Sequence, residues 1–134
     1  MMAKVTGLGW TTLGVDNAAG SVQDIRNDVT NFDFSTPYAQ QEVTGVDKSA
    51  MERLQLLADF TGTLNGVFNP TSNRIHTIGS GDLRVTRSLN LTVSGVSLNN
   101  EVLLTEYKVT RAAGGELTVS LPFALQDGTT PVWT

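Results

Sequence analysis

From residue 116 to residue 123 the chain alternates, with Leu117, Val119, Leu121 and Phe123 on one parity and Glu116, Thr118 and Ser120 on the other. A period of two sends successive side chains to opposite faces, so the pattern predicts a strand with an apolar inner face and a wet outer one. The same reading holds from 83 to 93. Leu83, Val85, Leu89, Leu91 and Val93 share a phase that only Arg87 breaks, against Arg84, Thr86, Ser88, Asn90 and Thr92 on the other side. Between 59 and 68, Phe60, Leu64 and Phe68 are in phase with Gly62 and Gly66, and a strand glycine at such a position marks close backbone approach or a bend. Between 102 and 111, Leu103, Tyr107 and Val109 oppose Glu106, Lys108 and Thr110. The turn Ala112-Ala113-Gly114-Gly115 then folds this segment onto 116–123 as a hairpin, because paired glycines admit positive φ.

The first third has a strand at 10–15, a turn at Asn17-Ala18-Ala19-Gly20 and an extended run from 22 to 34. In that run Ile25 and Val29 share one parity while Phe32 and Phe34 share the other, a slip that a bulge between Val29 and Phe32 explains. Its outward face is expected to carry Asp24, Arg26 and Asp28. Helical spacing occurs in one segment, 47–57, where Ala50, Leu54 and Leu57 fall at i, i+4 and i+7. Asp47, or Ser49 with Glu52, offers its cap, and about three turns of helix must pack on the sheets to persist. Two stretches, 35–45 and 69–82, are polar and turn-rich and read as loops. With eighteen Thr and fourteen Val among 134 residues, the chain is mainly β.

Length and composition change this picture little. The chain fits one domain, 1–134, and its 40% hydrophobic content can fill a core. The longest apolar run is three residues, against about 20 for a spanning helix, so no membrane span is expected, and the start lacks the apolar stretch of a secretory signal. Cysteine is absent and His76 is the single histidine, without a nucleophile elbow or an HExxH pattern near it. No catalytic residue, metal or cofactor is expected. Thirteen acids against nine bases give a net charge of −4, all of it in residues 1–66, which hold eight acids and four bases. That balance opposes the basic footprint of proteins that grip phosphate backbones.

Three stretches add something that periodicity does not. Asn27-Asp28-Val29-Thr30-Asn31-Phe32-Asp33-Phe34, then Val43-Thr44-Gly45-Val46-Asp47-Lys48-Ser49-Ala50-Met51-Glu52-Arg53-Leu54 leading to Leu64-Asn65-Gly66-Val67-Phe68-Asn69, then 101–113, resemble in order and spacing the major tail tube proteins of long-tailed bacteriophages with non-contractile tails. The closing Asp127-Gly128-Thr129-Thr130-Pro131-Val132-Trp133 is similar to that family's C-terminus. The resemblance implies a small two-sheet β-sandwich or partial barrel flanked by one helix, the helix falling at 47–57. It also implies a structural, non-enzymatic virion protein that forms hexameric rings stacked into a hollow tube for DNA delivery. The implied partners are further copies of the chain, a tape measure protein, and tail terminator and tip proteins, with double-stranded DNA passing without being bound. The implied location is the phage tail, and the host cytoplasm before assembly.

Within that frame an acidic wall would repel phosphates, so Asp24 and Asp28, with Glu106 or Glu116, are expected to line the lumen. The 35–45 and 69–82 loops, the latter with Asn73, Arg74 and His76, are expected to contact neighbouring subunits, and deletion of 72–80 to stop tube growth while sparing the fold. The alternatives are a tube protein of a contractile tail or secretion needle, which shares the fold, and a receptor- or carbohydrate-binding β-sandwich. The latter wants an aromatic platform, whereas Trp10, Trp133, Tyr38 and Tyr107 are scattered along the chain.

Overall fold

The computed structural model of the protein describes residues 4–134. Along it run β1 Thr12–Asp16, β2 Val22–Asp24, β3 Val29–Ser35, β4 Tyr38–Glu42, β5 Arg53–Ala58, β6 Thr61–Val67, α1 Ile75–Gly79, β7 Arg87–Val93, β8 Val96–Leu104, β9 Lys108–Arg111 and β10 Leu117–Leu125. Eight strands share one antiparallel sheet in the order β2-β1-β7-β8-β10-β6-β3, with β9 also on β10. One edge of β10 is covered in series: residues 117–120 pair with β9 and residues 123–125 with β8.

The sheet closes over a single apolar core. Leu13 and Val15 of β1, Leu89 and Leu91 of β7 and Leu98 of β8 meet Leu64 of β6 and Leu121 and Phe123 of β10. The end strands β2 and β3 do not pair, so the mainly β chain that the alternation predicts is folded as a partial barrel, one of the two architectures that the resemblance implies. Helix α1 lays Ile75 and Ile78 into the same core. Aromatic rings fill the end of the barrel near the chain terminus. Phe34 packs on Phe60 at 6.0 Å and Trp133 at 5.9 Å, and Phe32 on Trp10 at 4.9 Å. Thr134 then exchanges two backbone hydrogen bonds of 2.8 Å with Ser97.

The helix expected at 47–57 is not there. Residues 53–58 are β5, which pairs antiparallel with β4 as a separate two-stranded sheet, and residues 47–52 are turn and bend. The i, i+4, i+7 spacing covers only about three turns, and so short a helix offers few hydrogen bonds to offset its nucleation. Pairing with β4 satisfies the backbone at once. The stretch 35–45, read as a loop, therefore contains a strand, and 69–82 contains α1. Deleting 72–80 would remove Ile75 and Ile78 from the core, so that deletion cannot spare the fold.

The bulge read in the first third is present: the β3–β6 register shifts between Val29 and Asn31. It lies where Gly66 faces the backbone of Asp28, and a Cβ on Gly66 would overlap the Asp28 carbonyl oxygen. Gly66→Ala should therefore lower stability by about 1–3 kcal/mol, a strain cost measurable by urea denaturation. The run 22–34 is not continuous. Asp28 and Val29 both donate to the Ile25 carbonyl, turning the chain between β2 and β3.

Phase also explains Arg87. It occupies an inward position of β7 and is fully buried, its guanidinium donating to the carbonyls of Asp16 and Ile78 at 3.0 Å and of Asp82 at 2.8 Å. The residue that breaks the hydrophobic pattern is thus a core residue that binds polar groups inside.

Candidate assembly surface

The expected lumen acids go to different surroundings. Asp28 lies in the turn after β2 and is buried, with 1% exposure, which corrects its placement on an outward face. The period of two does not carry through a turn, and the carboxylate points inward, accepting from Asn69 Nδ2 at 2.7 Å and from the Ile75 amide at 3.1 Å. Asp24 is exposed and paired with Arg26 at 2.9 Å. The hydrogen bond from that guanidinium holds the Asp24 carboxyl below the usual carboxylate value. Arg26 also donates to the carbonyls of Trp10 and Thr11 at 3.2 and 2.9 Å, tying the start of β1 to the end of β2. Glu106, in the break between β8 and β9, and Glu116, beside the β9–β10 turn, are exposed.

Of the three loop residues expected at a subunit contact, Asn73 is exposed, with φ at 65°. Arg74 donates to the Asp24 carbonyl at 3.2 Å. His76 Nδ1 lies 2.9 Å from the Tyr107 hydroxyl, and its ring is 4.6 Å from that of Phe68. Both side chains are thus engaged within their own subunit, and the 69–82 segment is clamped to the β2–β3 turn through Asp28 and Arg74.

The least satisfied surface lies elsewhere. Every residue of β4 is exposed, and every residue of β5 except Ala58. Val46, Met51, Leu54, Leu56 and Leu57 present apolar area to solvent, with Leu57 85% exposed. An isolated two-stranded hairpin is marginal in water, and a cluster of exposed large apolar side chains marks an interaction surface. Outer strand edges of the large sheet are also unpaired among the described residues, that of β2 among them. β3 pairs only with β6, and β9 only with β10. All four residues of β9 are exposed, so this hairpin presents open backbone donors and acceptors to whatever lies alongside.

A groove of about 550 Å³ follows the seam where the two ends of the sheet fail to meet, lined by Trp10, Leu13, Val29, Phe32 and Phe34 with Arg26 at its side. Among the described residues, no three His, Asp or Glu side chains converge as metal ligands would. The arrangement suits pairing and packing against other polypeptides. Sequence reasoning misses the β4–β5 hairpin because a strand exposed on both faces has no alternation to reveal it.

No protein-family model and no curated protein matches the chain. Solved structures do. A chain in the virion of a native gene transfer agent particle is similar with a TM-score of 0.66 and 14% identity, over 91% of this chain and 95% of that one. A chain in the tail of an empty gene transfer agent particle, determined by helical refinement with C6 symmetry, is similar with a TM-score of 0.69 and 15% identity, over 98% and 99% of the two chains. At that identity the likeness is one of fold, and at the level of the fold it bears out the resemblance to tail tube proteins carried by residues 27–34, 43–54, 64–69 and 101–113.

Proposed function

We propose that the protein is the structural subunit of a phage-type tail tube, closing into hexameric rings that stack into a hollow conduit for double-stranded DNA. The observation that carries this reading is the β4–β5 hairpin, a separate two-stranded sheet that leaves Leu54, Leu56 and Leu57 exposed. Such a hairpin needs a neighbour, and a second copy can provide one. The free edges of β3 and β9 support the same reading, since pairing β3 of one copy with β9 of the next is a heterologous contact that closes into a ring. The C6 symmetry of the similar tail supports six as the number.

The geometry is adequate for the cargo. Six copies of the sub-sheet β3-β6-β10-β9 give about 24 strands; at about 4.8 Å per strand and about 40° tilt, their backbone cylinder has a radius of about 24 Å. Side chains leave a passage wide enough for a duplex. A tape measure protein inside the growing tube and terminator and tip proteins at its ends belong to the same proposal, with assembly in the host cytoplasm.

Negative-stain electron microscopy of concentrated protein, with sedimentation of the same sample, tests it. Hollow tubes or six-fold rings are expected. A protein that remains monomeric even when offered preassembled tail tips overturns the reading.

A further inference from the structure

Two charged residues of the sub-sheet β3-β6-β10-β9 lack an oppositely charged neighbour in their own subunit, and they stand on its two free edges. Register aligns Asn31 of β3, Asn65 of β6, Ser120 of β10 and Lys108 of β9 in one cross-strand row, and Asp33, Thr63 and Pro122 in the next. Lys108 therefore has no carboxylate in its row and Asp33 no cation, and neither forms an ion pair among the described residues. Both are exposed. On the opposite face Val119 is in the core, but its cross-strand partner Val109 is left 45% exposed at the sheet edge. Phe32 shares that face on β3, half-buried in the groove beside Trp10.

Resting on the ring reading above, we infer that β3 of one copy and β9 of the next pair in a single register, in which Asp33 faces Lys108, Phe32 faces Val109 and Asn31 faces Thr110. The four strands alternate in direction within a subunit, so β3 and β9 run in opposite senses. A rotation about the ring axis keeps each strand's direction along that axis, and the contact is therefore antiparallel. Core-facing residues must also oppose core-facing residues, because a slip of one residue would send every side chain to the wrong face. The registers that satisfy this condition differ by steps of two residues.

Side-chain chemistry chooses among them. In the inferred register the two unpaired charges meet and an aromatic ring faces a β-branched side chain, both favourable cross-strand pairs, while a hydroxyl faces a carboxamide. Val109 then covers the groove along the seam, against Phe32 and Trp10. A step of two residues one way sets Lys108 against Ser35, Thr110 against Asp33 and the Arg111 guanidinium against Phe32. The same step the other way brings Val109 to the bulge between Val29 and Asn31, where the strand is irregular. Both steps part Asp33 from Lys108. The charges also select the partner edge, since two β3 edges would bring carboxylates together and two β9 edges ammoniums. The remaining free edge, β2, is three residues long, and its Asp24 is already paired with Arg26.

Because the chain lacks cysteine, paired substitutions report the register directly. Opposed residues of an antiparallel pair lie about 4.5–5.5 Å apart at Cα, within reach of a disulfide, whereas a slip of two residues offsets them by about 7 Å along the strand. Within one subunit β3 and β9 are three strand spacings apart, about 14 Å, too far to bridge. Mild oxidation of tubes carrying Asn31→Cys with Thr110→Cys is expected to give a ladder of covalently linked chains on a non-reducing gel. Asp33→Cys with Thr110→Cys is expected to give at most about one tenth as much. Should the first pair not fold, Asp33→Cys with Lys108→Cys tests the same register. Asp33→Lys alone should raise the concentration needed for assembly about tenfold, and adding Lys108→Asp should bring it back to within about threefold of the parent, because the swapped charges attract again. A ladder from 33 with 110 as strong as that from 31 with 110 overturns the register, and failure of the swap to restore assembly overturns the ion pair. No ladder from any of the three pairs, while tubes are seen, overturns the contact between β3 and β9. Absence of tubes from the parent protein overturns the ring reading, and this inference falls with it.

Discussion

Leu54→Glu combined with Leu57→Glu should abolish tube formation while leaving the melting temperature of the monomer nearly unchanged. Both side chains sit on β5 in solvent, 52% and 85% exposed, and neither belongs to the core cluster. Surface changes of this kind usually alter stability by no more than about 0.5 kcal/mol. In an assembled tube the same leucines would be covered, and burying one contributes about 1.5–3 kcal/mol. Two carboxylates in their place would be desolvated without partners, a penalty larger than the stabilisation the leucines supply. The concentration needed for assembly should rise at least about a hundredfold, equivalent to about 3 kcal/mol per subunit contact. Leu57→Ala, which removes apolar area and adds no charge, should raise it by only about tenfold, equivalent to about 1.4 kcal/mol. Sedimentation across a dilution series reads both. Tubes from the double variant at the parent's concentration would mean that the hairpin is not the contact, and would remove the observation on which the proposed function rests.

What could be read from the residues divides according to whether burial acts on one face or on none. The alternation at 117–123 places Val119, Leu121 and Phe123 in the core, and the phase of 83–93 places Arg87 there too, although its chemistry argues for the surface. Gly62 and Gly66 mark close approach, and in the fold a Cβ at either would overlap backbone of β3 or of the turn before it. The slip between Val29 and Phe32 is the bulge. Residues 38–42 and 53–58 leave no such trace because no packing selects between their faces, so the accidental helical spacing of Ala50, Leu54 and Leu57 stands unopposed. Helix α1, five residues long, is too short to show a period. Asp28 misleads for a related reason. Its inward direction is set by a turn that begins at Ile25, and no pattern of apolar residues reports where an extended run turns. The assembly surface was legible only as a resemblance, since an interface that is empty in the monomer looks in the sequence like misplaced hydrophobicity.

Arg87→Ala should destabilise the monomer by about 3–5 kcal/mol, the cost of dismantling a buried charged network, and lower the melting temperature by about 10–20 °C. The guanidinium is fully buried, and it bridges three pieces of chain that no strand pairing joins: the end of β1 at Asp16, the end of α1 at Ile78 and the turn at Asp82. Burial pushes its pKa below the ordinary arginine value, while the Asp16 and Asp82 carboxylates pull the other way. A guanidinium stays protonated in proteins, so the desolvation cost is borne by the fold and offset by charge-assisted bonds to the carbonyls. Removing the side chain leaves those three acceptors and the Asp16 carboxylate in a site that water does not fill well. Arg87→Lys keeps the charge, but one ammonium cannot reach three divergent carbonyls, and a loss of about 2 kcal/mol is expected for a change that looks conservative. Arg87→Met separates the remaining terms. It fills most of the volume and removes the charge, so its stability reports whether the hydrogen bonds outweigh the desolvation they offset. Denaturant midpoints for the three variants should fall in the order Lys, Met, Ala below the parent. A methionine variant as stable as the parent would mean that Arg87 is tolerated in the core rather than holding β1, α1 and β7 together.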